Sequence, residues 1–358
     1  MSHKLSRRSF FRLTGGGLAA SQTLLSQEPA PQLLPPPAVA GRRSVVSLVR
    51  GESRRKNVSD ALVAIEDQIA PQLKRKKYVV IKPNNVSTVN QLAATHPDAL
   101  RGILDFLAPR FRGPVVIAES SAGNTLEGYE NFGYNRVASE HRSQKVSLVD
   151  LNEEGKYEVL PVLDGDLHVA PVRLAARLLD PDAFVLCAAL LKTHNVVVAT
   201  LSVKNITLGA PLRSGPKQAR RFNDKRLYHG GVRQTHYDIL LTAQKMQPFW
   251  GATVIDGFEG MEGNGPASGT PVPSRLAIAS TDYIAADRVG LEAMGINPAW
   301  VGYLNYCGQC GLGQYDLVRI VLRGARLEAV RRNYQLHRDM ERQLLWMGPM
   351  TEVPPKLG

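Results

Sequence analysis

Short, continuous apolar segments that alternate with segments of helical periodicity constrain the fold of this chain more than any other feature. The apolar segments are rich in valine, isoleucine and leucine, without the polar alternation of a strand that has one solvated face. Strands of this kind are buried on both faces, which is typical of a parallel sheet between two layers of helices. They cover residues 43–49, 77–84, 113–120, 145–152, 183–192, 252–260, 275–281 and 317–324. The sequence therefore predicts an α/β fold with a mostly parallel sheet or sheets, helices on both faces, and one lobe or two.

Apolar residues spaced three and four positions apart predict the intervening helices. These helices cover residues 57–73, 96–110, 195–206, 235–247, 284–294 and 326–348. With 358 residues and 44% hydrophobic content, the chain can bury a sizeable core. We predict a family α/β domain over residues 41–326, with a polar loop or lid at about 210–232, and a C-terminal helix and tail over 327–358.

The first 40 residues resemble a twin-arginine export signal followed by a Pro-rich stretch. Arg7 and Arg8 precede Phe10 and a short Gly/Ala-rich segment, and the sequence "AVA" favours cleavage after Ala40. We therefore expect a periplasmic or otherwise exported protein that meets the twin-arginine export machinery. No later segment offers about 18 uninterrupted apolar residues, so we expect no stable membrane span in the mature protein.

The net charge of +12 comes mostly from the N-terminus. Residues 1–56 hold ten Lys or Arg and two Glu, which is +8 of that total. The rest is nearly balanced, and the "KRKK" run at 74–77 is interpreted as a solvated helix end. We expect no nucleic-acid partner.

The three cysteines predict no metal site. Cys187 lies in an apolar run and is expected in the core, while Cys307 and Cys310 form one CxxC, for which a local disulfide is the leading interpretation. The sequence shows no further ligands nearby for zinc or an iron-sulfur cluster.

Polar side chains stand at the ends of four predicted strands. In open parallel sheets, ligands bind outside the carboxyl ends of the strands, so we expect these groups at one site. They are Lys82 and Asn84, Glu119 and Ser120, Lys192 and His194, and Asp256. The predicted helix over 195–206 would return Lys204 and Asn205 to the same place.

The stretch "DGFEGMEGNGP" at 256–266 is rich in glycine and carboxylates. Gly263 and Gly265 permit positive φ angles, which can turn backbone N–H groups toward an anion. The stretch is neither a Walker A loop nor a dinucleotide fingerprint. Packing of the glycines against a neighbouring segment is the alternative interpretation.

Five motifs resemble the family named domain of unknown function 362, in the same order and spacing. They are "VVIKPN", "ATHPDAL", "LLKTH…VKN", "VIDGFEGMEGNGP" and "ASTDYIAADRVGLEAMG", within residues 45–313. Many relatives carry a four-cysteine ferredoxin-like segment that this chain lacks, so no resident iron-sulfur cluster is expected. The family is distantly similar to the nickel-dependent lactate racemase group in its use of Lys and His on an α/β scaffold. No cofactor is transferred on that resemblance.

The first functional hypothesis is an enzyme that acts on a small carboxylate or phosphate by Lys/His acid-base chemistry, in the manner of a racemase or isomerase. Lys192 would take a proton because burial beside Lys82 or Lys204 lowers its pKa, with His194 among the candidate acids. The predicted catalytic residues are Lys192, His194, Lys82, Asp256 and Glu262, and the predicted substrate-binding residues are Asn84, His96, Glu119, Ser120, Lys204, Asn205, Gly263 and Gly265.

Two further hypotheses stay open. A metal-assisted hydrolase would use oxygen and imidazole ligands. They would come from Asp256, Glu119, Glu262, His96 and His194. A non-catalytic periplasmic protein would use the same cations only to capture an anion.

Overall fold

A mixed sheet forms the centre of the protein in the computed structural model, which describes residues 41–142, 144–215 and 221–349. The strands are β1 (Ser44–Arg50), β2 (Tyr78–Lys82), β3 (Val115–Glu119), β4 (Val146–Asp150), β5 (Tyr157–Leu163), β6 (Val169–Ala175), β7 (Ala183–His194), β8 (Val198–Thr200), β9 (Trp250–Glu262), β10 (Thr270–Val272), β11 (Leu276–Ser280) and β12 (Ile320–Gly324). The helices are α1 (Arg54–Val63), α2 (Glu66–Leu73), α3 (Pro97–Leu107), α4 (Thr125–Asn131), α5 (Tyr134–Glu140), α6 (Ser202–Gly209), α7 (Val232–Met246), α8 (Tyr283–Met294), α9 (Gly302–Gln309), α10 (Leu327–Val330) and α11 (Met340–Gln343). The predicted export signal and Pro-rich stretch at 1–40 lie outside the described residues.

The sheet follows the order β12-β1-β11-β9-β7-β2-β3-β4, with β8 and β10 paired to the ends of β7 and β9. Along this path, β11 runs antiparallel to both of its neighbours and the remaining pairs are parallel. Strands β5 and β6 form a separate antiparallel hairpin. The α/β fold with a mostly parallel sheet is therefore confirmed. The described residues belong to one unit, so of the two alternatives the one-lobe fold holds.

Side chains alternate between two hydrophobic cores, one on each face of the sheet. Along β7, Val185 and Cys187 enter one core, while Phe184 and Leu186 enter the other. All twelve residues of β7 are buried, as expected for a central strand covered on both faces. Helix α6 packs in the first core through Val203 and Ile206. This face is called the α6 face below.

The prediction of a helix over 195–206 is wrong for the first half of that range. Residues Val198–Thr200 form β8, which folds back on the end of β7, and α6 begins only at Ser202. The β-branched run before Ser202 favours an extended chain. The predicted helix over 57–73 is also divided, into α1 and α2.

The long C-terminal helix predicted over 326–348 is wrong as well. Only the short α10 and α11 and one 3₁₀ turn form there. Between them, the backbone N–H groups of Arg332 and Tyr334 donate to carbonyls at the end of α8, at Ala293 and Met294. These contacts replace the i to i−4 bonds of a helix. The sequence also gave no indication of the β5–β6 hairpin.

The predicted disulfide is not formed. All three cysteines carry free thiols, with Cys307 buried inside α9 and Cys310 exposed after the end of that helix. Burial raises the pKa of the Cys307 thiol well above its usual value, so this sulfur is poorly ionised and unreactive. Within the described part of the chain, no helix is both long and apolar enough to cross a bilayer.

Candidate functional site

A cavity of about 260 Å³, here called the strand-end cavity, opens at the carboxyl ends of β2, β3 and β7. Its lining comes from the ends of these strands, from α6, from the loop before α7 and from the loop between β9 and β10. The described residues that line it are Lys82, Asn84, Asn85, Val86, Glu119, Ser120, Ala122, His194, Asn195, Lys204, Asn205, Leu208, Gly209, Lys225, His229 and Pro266. Because these strands are parallel neighbours, their polar ends meet at one edge, as the sequence predicts.

A buried ion pair between Lys82 and Glu119 forms one wall of the strand-end cavity. Lys82 Nζ lies 2.9 Å from the Glu119 carboxylate and also donates to Pro83 O at 2.7 Å and to Asn205 Oδ1 at 3.2 Å. The Glu119 carboxylate accepts two further hydrogen bonds, from backbone N–H groups of Asn85 and Ser120. Both charges are compensated in place, so this pair fixes the local geometry and field.

Gly209 at the end of α6 is required by that ion pair. A Cβ at this position would overlap Lys82 Nζ and Cε and approach the Glu119 carboxylate. A side chain at this position would therefore have to displace the Lys82 amine from the ion pair.

Lys192 lies behind the cavity wall and not in the cavity lining. Its Nζ donates to Asn84 Oδ1 at 2.6 Å, to Ala93 O at 2.9 Å and to Pro266 O at 3.3 Å. Burial, followed by the charge of Lys204, lowers the pKa of Lys192 well below its usual value. Three oxygen acceptors match the three N–H groups of an ammonium, so Lys192 ties β7 to two loops. The structure does not bring this predicted base to the cavity.

The start of α6 is fixed by a carboxylate from α8. The backbone N–H groups of Ser202 and Val203 donate to Asp287 at 2.7 and 2.9 Å, which satisfies two of the free donors at the helix start. Lys204, Asn205 and Leu208 then line the cavity from one side of the helix. Leu208 follows Lys204 by four positions and Asn205 by three, and residues at these spacings are neighbours on a helix surface.

Lys204 is a buried residue whose amine has no partner among the described residues. The residue is 5% exposed and lines the cavity, and within the described residues its Nζ makes no hydrogen bond or ion pair. Burial, followed by the charge of Lys82, lowers the pKa of Lys204 to about 7, and Glu119 opposes part of this effect. Near neutral pH, the ammonium and the free amine are both populated.

His194 presents a neutral ring to the cavity. Its Nδ1 accepts hydrogen bonds from the backbone N–H groups of Val196 at 3.1 Å and Val197 at 3.3 Å. Burial, followed by the charge of Lys204, lowers the pKa of His194 well below its usual value. Because Nδ1 accepts, the proton of the neutral ring is assigned to Nε2. The neutral ring can therefore donate one hydrogen bond through Nε2–H, and its lowered pKa disfavours the imidazolium that an acid would require.

Lys225 is a cation of the site that the sequence analysis missed. Its Nζ donates to Ser120 Oγ at 2.9 Å and to Leu208 O at 3.2 Å, which leaves one of three N–H groups for a ligand. Burial lowers the pKa of Lys225 to about 7. His229 lines the cavity one turn later, with Nδ1 bonded to Lys225 O. Both residues belong to the predicted loop over 210–232, of which residues 216–220 lie outside the described residues.

Six predicted site residues lie outside the cavity lining: Lys192, described above, Gly263 and Gly265, described below, and Asp256, Glu262 and His96. Asp256 pairs with Arg54 at 3.1 Å, Glu262 accepts from the backbone N–H of Gln335, and His96 caps the start of α3. Burial raises the pKa of Asp256 above its usual value. Strand alternation explains the position of Asp256, since Thr253 contacts Ser202 on the α6 face and a residue three positions later projects from the other face.

The backbone N–H groups of Gly263 and Gly265 in the glycine-rich stretch are hydrogen-bonded within the protein. Residues 256–262 continue β9, and the N–H groups of the two glycines are bonded to Gln335 O and to Gly263 O. A Cβ at position 265 would overlap Thr193 O, and Gly263 O accepts from Thr193 Oγ1 at 2.9 Å. The glycines therefore pack against β7, which was the alternative interpretation.

The residues predicted as metal ligands do not converge. Asp164, Asp166 and His168 in the β5–β6 turn lie close enough together to share a metal ion, and they are the one such group in the described ranges. These residues do not belong to the cavity lining.

The strand-end cavity has an excess of positive charge. Its described lining contains three lysines and one carboxylate, so it carries a net charge of +2 when all four are ionised. A cavity lined by charges of one sign and shielded from solvent attracts ligands of the other sign.

These features define a class: an α/β protein with a buried cationic cavity at the strand ends of a mostly parallel sheet. The model of the family described as "Domain of unknown function (DUF362)" matches residues 79–292, more than half of the chain, and the chain belongs to that family. The matched range includes the lysines and histidines of the cavity lining.

Two other comparisons add context. A crystal structure of a protein from Thermotoga maritima, determined by a structural genomics consortium, is similar at 11% identity and a TM-score of 0.39. The similarity covers 60% of this chain and 52% of that one, so this chain spans about half the length of that protein. A search of curated proteins found no match.

Proposed function

We propose that this protein is an enzyme that binds a small carboxylate or phosphate in the strand-end cavity and transfers a proton on it, as a racemase or isomerase does. The observation that carries this proposal is Lys204, a buried amine without a partner in the described residues, facing a cavity with a net positive charge. A buried cation without a partner is costly, so its position favours a role in binding or reaction.

The roles follow from which donors are free. Lys225 has one N–H left after its bonds to Ser120 and Leu208, and it would hold the anionic group. Lys204, with a pKa of about 7, would supply the neutral amine that takes the proton. The Nε2–H of His194 would stabilise the negative charge that develops on a substrate oxygen.

Lys82, Glu119 and Lys192 would position these groups without reacting themselves. Each is engaged by at least three hydrogen-bond partners. The reaction class is suggested by the resemblance to the lactate racemase group noted from the sequence, and no cofactor is assumed. A non-catalytic anion-binding protein would use the same cations and differ by the absence of turnover.

Hydrogen exchange provides a test that requires no knowledge of the substrate. The protein would be incubated in deuterated buffer with panels of small hydroxy, amino and oxo acids. NMR would follow loss of the proton on the carbon next to the carboxylate in hydroxy and amino acids, and on the carbon next to the carbonyl in oxo acids. We expect exchange with at least one class, and its loss in Lys204→Met. Lys145→Met is the matched control, because Lys145 is exposed and outside the cavity. If acids of the panel bind but none of them exchanges its proton, the enzymatic proposal fails and an anion-binding function remains.

We also propose export through the twin-arginine route, supported by the paired Arg7 and Arg8. A reporter fused after residue 40 should reach the periplasm, and replacement of both arginines by lysine should retain it in the cytoplasm. Export of the double variant at the original level would contradict this route.

A further inference from the structure

We propose that the substrate carries a carbonyl next to its anionic group, as a 2-oxo acid does, and that Lys204 Nζ forms an imine with this carbonyl. This inference rests on the proposed function and extends it by naming a substrate class and a covalent step. It follows from a comparison of the lysines around the cavity.

The lysines differ in how many acceptors surround each Nζ. Lys82 and Lys192 each have three oxygen acceptors and Lys225 has two. Lys204 has none among the described residues, although it is buried as Lys82 and Lys192 are. A lysine that only holds an anion benefits from acceptors that fix its amine, because they orient the remaining N–H toward the anion. Lys225 has such acceptors. An amine with its lone pair free in a cavity can act as a nucleophile.

The lining offers few other reactive groups. Its one carboxylate in the described residues, Glu119, is held by Lys82 and by two backbone N–H groups. The cysteines do not line the cavity. The free amine of Lys204 is therefore the group best placed to form a bond to carbon.

The neighbours of Lys204 suit the other two parts of a 2-oxo acid. The remaining N–H of Lys225 would bind the carboxylate, and the Nε2–H of His194 would bind the carbonyl oxygen. Val86, Ala122 and Leu208 provide apolar surface for a small substituent. The cavity, at about 260 Å³, accommodates a small molecule of this kind.

The step balances without an external reagent. Neutral Nζ attacks the carbonyl carbon, a C–N bond forms, and the electron pair of the C=O π bond moves to oxygen beside the His194 donor. The nitrogen loses its two protons to that oxygen, which leaves as water, and a C=N bond remains. No atom is oxidised or reduced. When the imine is protonated, it withdraws electrons from the carbon beside the former carbonyl, which favours loss of a proton from that carbon. In this covalent form Lys204 Nζ is the electron acceptor and no longer the base, so the proton passes to solvent in the open cavity.

The test uses the mature protein with glyoxylate and sodium cyanoborohydride, whose hydride converts the imine to a stable secondary amine. Intact mass and peptide mapping would locate the product. We expect one adduct per chain on Lys204, formed at least tenfold faster than any adduct on exposed Lys145. Lys204→Arg removes the amine nucleophile, so the adduct should disappear from this protein. Lys145→Arg, at an exposed lysine outside the cavity, should keep both the adduct and the binding of oxalate followed by calorimetry.

The outcomes separate the two proposals. Adducts spread equally over exposed lysines, or equal labelling of the Lys204→Arg protein, would overturn the imine. Oxalate binding without any glyoxylate adduct would also overturn the imine and leave the anion site standing. Absence of both oxalate binding and adduct would overturn the imine together with the proposed function.

Discussion

Replacement of Lys204 by methionine should stabilise the protein at neutral pH. Methionine is close to lysine in length and carries no charge, so the change removes a buried ammonium that lacks a partner within the described residues. Folding lowers the pKa of this lysine from 10.5 to about 7. Between these two values the unfolded chain binds more protons than the folded one, so the stability of the natural protein rises with pH.

The size of the effect follows from the pKa difference. At about 1.36 kcal/mol per pKa unit, the charged form costs the natural protein about 4 kcal/mol near pH 7 and about 1.4 kcal/mol near pH 9.5. Lys204→Met should recover a large part of this cost near pH 7 and much less near pH 9.5. Water that reaches the amine reduces both figures.

Urea unfolding followed by circular dichroism at the two pH values measures the effect. The difference in free energy of unfolding between Lys204→Met and the natural protein should fall by about 3 kcal/mol at most over this range. Lys145→Met serves as the exposed control and should change stability by less than about 0.5 kcal/mol at either pH. A destabilised Lys204→Met protein, or a gain that does not change with pH, would refute the assignment of a free buried amine.

Three further predictions test the site and its surroundings. Gly209→Ala should displace Lys82 from Glu119 and lower the free energy of unfolding by about 1–3 kcal/mol. Gly348→Ala, whose Cβ meets nothing closer than 3.8 Å, should have little effect, and equal effects of the two changes would contradict the close contact between Gly209 and Lys82. Oxalate affinity should fall at least tenfold from about pH 6 to 8.5, because the pKa values of Lys204 and Lys225 are about 7 and their ammonium forms attract the anion. If calorimetry gives the same Kd at both pH values, these lysines do not bind oxalate. Ellman's reagent should titrate one thiol, Cys310, in the native protein and three after unfolding, and a native protein with no reactive thiol would favour a disulfide.

The position of the site could be predicted from the sequence because it depends on local rules. Lys82, Glu119 and His194 end strands that are neighbours in the sheet, and parallel neighbours place their carboxyl ends at one edge. The pairing register shows on which face of the sheet the Lys82 side chain lies. Lys82 is paired with Cys187, which belongs to the core on the α6 face.

The individual roles could not be predicted, because they depend on contacts distant in the chain. Lys192 projects away from Leu191, which is in the core of the α6 face, and its carbonyl acceptors come from Ala93 and Pro266. Nothing in the local sequence distinguishes it from Lys204, whose surroundings provide no acceptor in the described residues. Lys225 was missed for the same reason, since its contact with Ser120 spans 105 positions.

The glycine-rich stretch shows a different limit. Glycines allow both an anion-binding turn and close packing, and the pattern alone does not separate the two. In this structure, the contact of Gly265 with Thr193 shows that this glycine packs closely against β7.

Calorimetric titration with oxalate of the natural protein, Lys204→Met and Lys145→Met near pH 6.5 tests the central claim most directly. The account predicts one site per chain in the natural protein and in Lys145→Met, with at least tenfold weaker binding in Lys204→Met. Equal affinity in all three proteins, or no binding in any, would contradict a cationic anion site at the strand ends.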